Sequence, residues 1–185
     1  MNRLPIPTVE TAPAASQPLL AAVKQQIGMA PNLMKVLAHS PAGLGACLGF
    51  SAAVAGGKLD GAVRERIALT VAEINRCEYC LSAHTYLGKN VAKLSDQELD
   101  DARDARSADA KVQALLQFTK TVVESRGRIE DADLQRFLAA GYGPDAVVEV
   151  VANLALNVFT NYLNNVAKTT VDFPHVHARG LSWAA

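Results

Sequence analysis

The chain has 185 residues, half of them hydrophobic, and its 18 basic residues balance 18 acidic ones to a formal net charge of zero. This length and composition predict one domain with a sizeable core and exclude a disordered chain. A neutral protein lacks the electrostatic field that attracts nucleic acid or anionic membranes, so we expect neither as a partner.

The N-terminal segment, residues 1–15, is rich in proline and contains no apolar stretch of signal-peptide length. We expect it to be an extended arm, with the folded domain at residues 16–185, and we expect a cytoplasmic protein. No window of about 18 uncharged apolar residues indicates a membrane span. Even the apolar stretch 146–158 is interrupted at helical spacing by polar residues, as in a buried amphipathic helix.

Glycine, proline and aspartate divide the rest of the chain into stretches with helical periodicity, and none alternates with the period of a strand. The sequence therefore predicts an all-α fold. Asp60 is placed as a helix N-cap, and Ser95 and Glu98 as a capping box. The predicted helices cover residues 17–27, 31–38, 41–55, 61–75, 77–90, 95–105, 108–125, 131–140 and 144–168.

Two cysteines, Cys77 and Cys80, are separated by two residues, and His84 follows four residues after the second. On a helix these residues share one face, because neighbours at i+3 and i+4 lie on the same side. An imidazole beside the sulfur of Cys80 favours the thiolate, which is the reactive form of cysteine. The pair can also close to a disulfide at a helix N-terminus, so the motif suggests two-electron redox chemistry.

Other cysteines and histidines carry weaker signals. Cys47 lies among small residues, and we expect it to be a buried hydrophobic side chain. An odd cysteine count argues against a framework of structural disulfides. His175 and His177 are expected to belong to a loose or interface-packed C-terminal tail.

The dithiol motif and further segments together resemble the carboxymuconolactone decarboxylase and alkylhydroperoxidase D-like superfamily, in its peroxidase-related branch. The matching segments are residues 30–33, 40–41, 64–75, 77–85, 161–164 and 171–174. The resemblance implies a single-domain antiparallel helical bundle of the alkylhydroperoxidase D-like type. It also implies a homo-oligomer, trimeric or hexameric, with sites near subunit contacts.

The family's site has a glutamate twelve residues before the first cysteine, and Glu65 occupies that position. The resemblance implies a proton relay in which Glu65 orients and polarises His84, and His84 assists deprotonation of Cys80. The dithiol then reduces a hydroperoxide and closes to a Cys77–Cys80 disulfide. A dithiol or protein reductant would reopen that disulfide.

Two positions leave alternatives in this relay. Glu73 lies four residues before Cys77 and is the alternative carboxylate. However, Arg76 offers Glu73 a surface ion pair, while the apolar neighbours of Glu65 predict that Glu65 is the more buried of the two. Tyr79 stands where the alkylhydroperoxidase D pattern has a second histidine, which weakens the inference of the full relay. Tyr79 is expected either to donate a hydrogen bond to a bound peroxide or to pack against a neighbouring subunit.

We therefore expect a thiol-dependent peroxidase with no metal and no cofactor other than its redox-active disulfide. The alternatives are a disulfide reductase, a redox-sensing helical protein, a carboxymuconolactone decarboxylase-type enzyme and a structural zinc site. The zinc site would use Cys77, Cys80 and His84, with Glu73, Cys47 or a tail histidine as the fourth ligand.

Overall fold

The computed structural model describes residues 2–179. All the helices in that range belong to one domain. A 3-10 turn, Ala14–Ser16, precedes the α-helices. The helices are α1 Gln17–Ile27, α2 Asn32–Leu37, α3 Pro41–Ala55, α4 Gly61–Ile74, α5 Glu78–Asn90, α6 Asp96–Arg103, α7 Ala110–Ser125, α8 Asp131–Ala139 and α9 Pro144–Ala167. The all-α prediction is confirmed, and each predicted boundary lies within two residues of the observed one. Residues 180–185 of the predicted domain lie outside the described range.

Local capping signals explain where several helices begin. The Asp60 side chain accepts a hydrogen bond from the backbone of Val63 at the start of α4. Ser95 and Glu98 form the predicted capping box at the start of α6. These contacts satisfy backbone N–H groups that have no partner within the helix.

Helix α4 lies at the centre of the domain and packs against α5, α6, α7 and α9. Its residues 67–72 are all buried, so this part of the helix faces protein on every side. Gly88 allows α5 to pack closely against α6 and α4. A Cβ atom at this position would lie 2.5 Å from Leu99 Cδ2 on α6 and 3.9 Å from Glu65 Cβ on α4. This close packing brings the site residues of α4 and α5 together.

The last helix, α9, buries a polar face. Two of its asparagines, Asn153 and Asn157, donate side-chain hydrogen bonds of 2.8 Å to the backbone oxygens four residues earlier. Other buried polar residues of this helix are Thr160, Asn161 and Asn164. By length and composition α9 is apolar enough to cross a membrane, a test that core helices of soluble proteins also pass.

The N-terminal arm contains no helix before residue 14 and lies against the end of α9 and the tail. The backbone N–H of Arg3 donates to the oxygen of Ala167 at 2.7 Å. The side-chain oxygen of Asn2 accepts two hydrogen bonds of 2.7 Å from Thr170. The arm is therefore hydrogen-bonded to the end of α9 and to the start of the C-terminal tail.

Candidate active site

The two cysteines sit at the N-terminus of α5. Helix α4 ends at Ile74, and Arg76 turns the chain with a left-handed φ of 53°. Cys77 is then the N-cap of α5, and its sulfur accepts a hydrogen bond of 3.3 Å from the backbone N–H of Cys80. The Cα atoms of the pair are 5.3 Å apart and the sulfurs lie at disulfide distance. A helix N-terminus stabilises a thiolate when the disulfide is reduced.

His84 lies on the second turn of α5 and faces Glu65 on α4. Its Nδ1 is 2.8 Å from Glu65 Oε2, and the side chains are 23% and 21% exposed. The contact fixes the imidazole ring and leaves Nε2 as the nitrogen that can exchange a proton with a neighbour. The structure thus brings together His84 and the carboxylate that the family pattern selects.

Cys80, His84 and Glu65 all line one cavity of about 420 Å³. This volume is within the range of small-molecule sites. Cys77 is not among the residues that line it within the described chain, so only one sulfur of the pair faces the cavity. Much of the remaining wall is apolar and includes Ile27, Met29, Leu33, Met34, Leu156 and Phe173.

Phe173 brings the C-terminal tail to the cavity. Its ring centroid is 5.9 Å from that of Tyr79 and 5.7 Å from that of Tyr86. Edge and tilted arrangements at these separations are favourable for aromatic pairs. The tail therefore forms part of the wall beside the dithiol helix.

Tyr79 anchors that tail. Its hydroxyl donates to Asp172 Oδ1 at 2.8 Å and accepts a 3.0 Å hydrogen bond from the backbone N–H of Leu33. Burial raises the pKa of the Tyr79 phenol far above its ordinary range. The Tyr79 hydroxyl proton is donated to Asp172. Tyr79 therefore does not take the proton-transfer role of the second histidine in the alkylhydroperoxidase D pattern.

Asn164 contacts the sulfur of Cys80 and was not among the predicted site residues. Its side-chain Nδ2 donates to Cys80 Sγ at 3.3 Å, and the residue is 3% exposed. A hydrogen bond to sulfur favours the thiolate over the thiol. The available signal was the spacing of asparagines along an otherwise apolar helix, which marks a polar stripe but does not name its partner.

Glu73 does not contact His84. Its Oε2 lies 2.6 Å from Arg103 Nε, and its Oε1 accepts from the backbone of Arg179. The expected ion pair with Arg76 is therefore wrong, because α4 ends at Ile74 and Arg76 has a left-handed backbone conformation that breaks the helical spacing. The expected order of burial is also wrong, since the Glu73 side chain is 12% exposed and that of Glu65 is 21% exposed.

Cys47 is buried, as expected, at 1% exposure. It lines the cavity from α3, and burial raises the pKa of its thiol. A raised pKa keeps the thiol protonated near neutral pH, so Cys47 is a weak nucleophile beside the dithiol.

Among the described residues, one group places three metal-binding side chains together: Glu78, His175 and His177, with ligand atoms within 4.8 Å of one another. This group is not the predicted zinc set, which used Cys77, Cys80 and His84. The sulfurs of Cys77 and Cys80 lie at disulfide distance from each other. Arg103 donates to the backbone oxygen of His177, and the positive N-terminus of α5 also opposes a dication there. Glu78 also accepts a hydrogen bond from the backbone N–H of Ala178. We therefore attribute these contacts to the packing of the C-terminal tail against α5.

The fold and site define the class: a helical protein with a CxxC dithiol beside a histidine–glutamate pair. The family model of the carboxymuconolactone decarboxylase family matches residues 41–124, which run from α3 to α7 and include the whole dithiol motif. Over this stretch the chain is similar to the carboxymuconolactone decarboxylase family. No curated protein matches the sequence significantly.

Solved structures share the fold. An uncharacterized peroxidase-related protein from Ralstonia eutropha JMP134, with an alkylhydroperoxidase AhpD core, is 22% identical, with a TM-score of 0.81 over 92% of each chain. An uncharacterized peroxidase-related protein from Silicibacter sp. TM1040 is 22% identical, with a TM-score of 0.80 over 91% of each chain. The debrominase Bmp8, in complex with 2,3,4-tribromopyrrole, is 17% identical, with a TM-score of 0.72 over 86% of each chain. These likenesses confirm the alkylhydroperoxidase D-like helical fold.

Proposed function

We propose that this protein is a thiol-dependent peroxidase that reduces organic hydroperoxides. The observation that carries the proposal is the meeting of Cys80, His84 and Glu65 at one cavity, with Cys77 at disulfide distance from Cys80. A nucleophile, a positioned base and a resolving thiol are the groups that this chemistry needs.

Cys80 is the attacking cysteine in this proposal, because it lines the cavity and Cys77 does not, although both are buried. His84 takes the thiol proton, and Glu65 stabilises the resulting imidazolium through the 2.8 Å contact. The Cys80 thiolate attacks the peroxide oxygen, and the O–O bond breaks. The alkoxide leaves with the proton from His84 as an alcohol, and Cys80 becomes a sulfenic acid.

Cys77 completes the reaction. Its sulfur attacks the Cys80 sulfur, and the Cys77–Cys80 disulfide forms. The sulfenic hydroxyl leaves as water with the proton of the Cys77 thiol. Two electrons have passed from the dithiol to the peroxide. An external dithiol or protein reductant then returns the pair to thiols.

The cavity favours an organic substrate over hydrogen peroxide. Its apolar wall of Leu33, Met34, Leu156 and Phe173 gains free energy by covering hydrocarbon, about 25 cal/mol per Å² of apolar surface. Hydrogen peroxide offers no such surface. We therefore expect cumene hydroperoxide to be reduced with a lower KM than hydrogen peroxide.

The test is the number of free thiols before and after cumene hydroperoxide, with turnover followed in the presence of dithiothreitol. Two thiols should be lost per peroxide and return with the reductant over many cycles. Cys80→Ser and Cys77→Ser should abolish turnover, and Cys47→Ser is the matched control that should retain it. Peroxide-inert thiols in a protein that purifies with stoichiometric zinc would contradict the proposal.

A second candidate is reductive dehalogenation of a small aromatic ring. The apolar cavity beside Cys80 favours it, and the debrominase Bmp8 shares the fold. The dithiol would supply two electrons and two protons, converting a carbon–halogen bond to carbon–hydrogen plus hydrogen halide, and would close to the disulfide. Bromide release from 2,3,4-tribromopyrrole, measured beside peroxide consumption, separates the two reactions.

We also propose that the protein is a homo-oligomer. The outer face of α9 exposes large apolar side chains, among them Val148, Phe159, Tyr162 and Val166. Contiguous exposed apolar surface is typical of association sites. Light scattering on the purified protein tests this, and a monomeric mass at micromolar concentration would overturn it.

A further inference from the structure

A second pocket opens at the N-terminus of the dithiol helix. Its volume is about 490 Å³, and it is distinct from the apolar cavity although Tyr79 lines both. The lining includes Arg76, Glu78, Asn164, Lys168, Thr169 and His175. This wall is polar and basic, in contrast to the cavity that faces Cys80.

Two cations in this pocket have no anionic partner among residues 2–179. Neither Arg76 nor Lys168 forms an ion pair with any described residue within 4.0 Å. Both residues have left-handed backbone conformations at the ends of helical segments, which hold their positions at the pocket. The only carboxylate of the lining, Glu78, already contacts His175 and His177.

Two buried polar atoms of the pocket also lack partners. Thr169 is 7% exposed, and its hydroxyl makes no hydrogen bond. Asn164 is 3% exposed, and its Oδ1 has no partner although its Nδ2 contacts Cys80. A buried polar atom without a partner costs about 1–3 kcal/mol, so each such atom in a native protein points to water or a ligand.

The pocket also borders the first turn of α5, a helix of 13 residues. The first-turn N–H groups and the helix dipole attract negative charge. Unpaired cations, an unpartnered buried hydroxyl that can donate and a helix N-terminus together fit a carboxylate, which accepts hydrogen bonds and carries negative charge. The pocket lies close to the dithiol in the sequence, because two of its lining residues, Arg76 and Glu78, flank Cys77.

We propose that this pocket binds the carboxylate of a small thiol that reduces the Cys77–Cys80 disulfide. The inference rests on the proposed redox function and names the chemical class of its electron donor. Substrate would reach Cys80 from the apolar cavity, and the anionic thiol would be held at the basic pocket. Neither sulfur lines the basic pocket, so the thiol end of the donor would reach the disulfide past Asn164, which lines the pocket and contacts Cys80 Sγ at 3.3 Å.

The reduction balances with two equivalents of a monothiol. The first thiolate attacks one sulfur of the pair, the Cys77–Cys80 bond breaks, and a mixed disulfide forms. The second thiolate attacks the donor sulfur of this mixed disulfide. The bond between the donor and the protein cysteine breaks, and the two donor molecules are released as a small-molecule disulfide. Both cysteines end as thiols, and the donor thiols supply the two protons.

The experiment starts from protein oxidised with one equivalent of diamide, so that it does not depend on peroxide chemistry. Free thiols are counted over time after addition of mercaptosuccinate, which is anionic, or of neutral 2-mercaptoethanol. The measured quantity is the ratio of the two rate constants. Arg76→Gln/Lys168→Gln should lower this ratio about tenfold by removing the local positive charge.

The matched control is Lys24→Gln/Lys120→Gln, which removes the same formal charge from an exposed position of α1 and a partly buried position of α7. It should leave the ratio unchanged. Succinate, which has the carboxylates but no thiol, should inhibit mercaptosuccinate competitively and 2-mercaptoethanol only weakly. Thr169→Val should weaken that inhibition, because it removes the unpartnered hydroxyl and keeps the side-chain shape.

Equal ratios in wild type and the Arg76→Gln/Lys168→Gln variant, or no inhibition by succinate, would overturn this inference. Such a result would leave the peroxidase proposal standing if peroxide still oxidises the dithiol. Conversely, a charge-dependent ratio in a protein whose dithiol ignores both peroxide and bromopyrrole would overturn the proposed function and keep the anionic donor.

Discussion

His84 Nδ1 lies 2.8 Å from Glu65 Oε2, and this contact joins the dithiol helix to the central helix of the domain. The two residues are 19 positions apart and come from different helices, so the pair depends on the close packing of α4 and α5. Cys80 lines the same cavity. In the proposed mechanism this arrangement gives the Cys80 sulfur a base whose protonated form has a carboxylate partner.

Glu65→Gln should slow oxidation of the dithiol by cumene hydroperoxide by about 10²-fold, the scale of a lost acid–base contribution. The amide keeps the shape of the side chain but cannot stabilise an imidazolium. Stopped-flow thiol loss at pH 7 measures the effect. Glu73→Gln is the control, because Glu73 pairs with Arg103 and should lose stability with little change in the oxidation rate. Equal slowing in both variants would show that the His84 contact has no special role.

Asn164→Leu should reduce the reactivity of Cys80 toward iodoacetamide at neutral pH. The substitution removes the N–H group that lies 3.3 Å from the sulfur and so lowers the fraction of thiolate. Asn161→Leu is matched in burial and lies one turn earlier, but Asn161 contacts Asn75 and not the dithiol. Both variants should lose stability in urea, and only the first should lose Cys80 reactivity. The same reactivity in both would contradict a positioning role for Asn164.

Tyr79→Phe should destabilise the protein by about 1–3 kcal/mol at pH 8, since Leu33 N–H and the Asp172 carboxylate lose their shared partner. The pH dependence has a definite sign. Burial raises the folded-state pKa of Tyr79, so its contribution is present below the unfolded pKa of about 10 and falls as pH rises above it. Urea unfolding at pH 8 and pH 11 should show a smaller difference between the two proteins at pH 11. A constant difference would exclude this titration.

Cys47 should resist alkylation in the oxidised protein, where the other two thiols are closed as a disulfide. Burial raises the pKa of the Cys47 thiol, so the thiolate is scarce at neutral pH and increases only at higher pH. Iodoacetamide labelling followed by mass spectrometry should be slow in native buffer and rapid in 6 M urea, a denaturing concentration on the usual scale of about 1–3 kcal/mol per M. Equal labelling rates would show that the thiol is open to solvent.

Local patterns explain what the sequence predicted well. Cys77, Cys80 and His84 are related by helical spacing, and Ser95 and Glu98 form a capping box within one turn, so their geometry follows from neighbouring residues. The family pattern then selected Glu65, which the structure places against His84.

Contacts between distant segments explain what the sequence did not show. Asn164 is 84 positions from Cys80, Asp172 is 93 positions from Tyr79, and Arg103 is 30 positions from Glu73. No local periodicity relates such pairs, because they meet only after the helices have packed. The expected Glu73–Arg76 ion pair assumed helical spacing between the two residues, but α4 ends at Ile74 and Arg76 has a left-handed backbone conformation.

The central claim is that Cys80 attacks a peroxide from the apolar cavity while Cys77 resolves the product. The most direct measurement uses Cys77→Ser, reduced, treated with one equivalent of cumene hydroperoxide and trapped with dimedone. Peptide mass spectrometry should find the sulfenic acid adduct on Cys80, with His84→Gln slowing its formation. An unmodified Cys80, or an adduct on Cys77 in the reciprocal Cys80→Ser protein at the wild-type rate, would contradict the account.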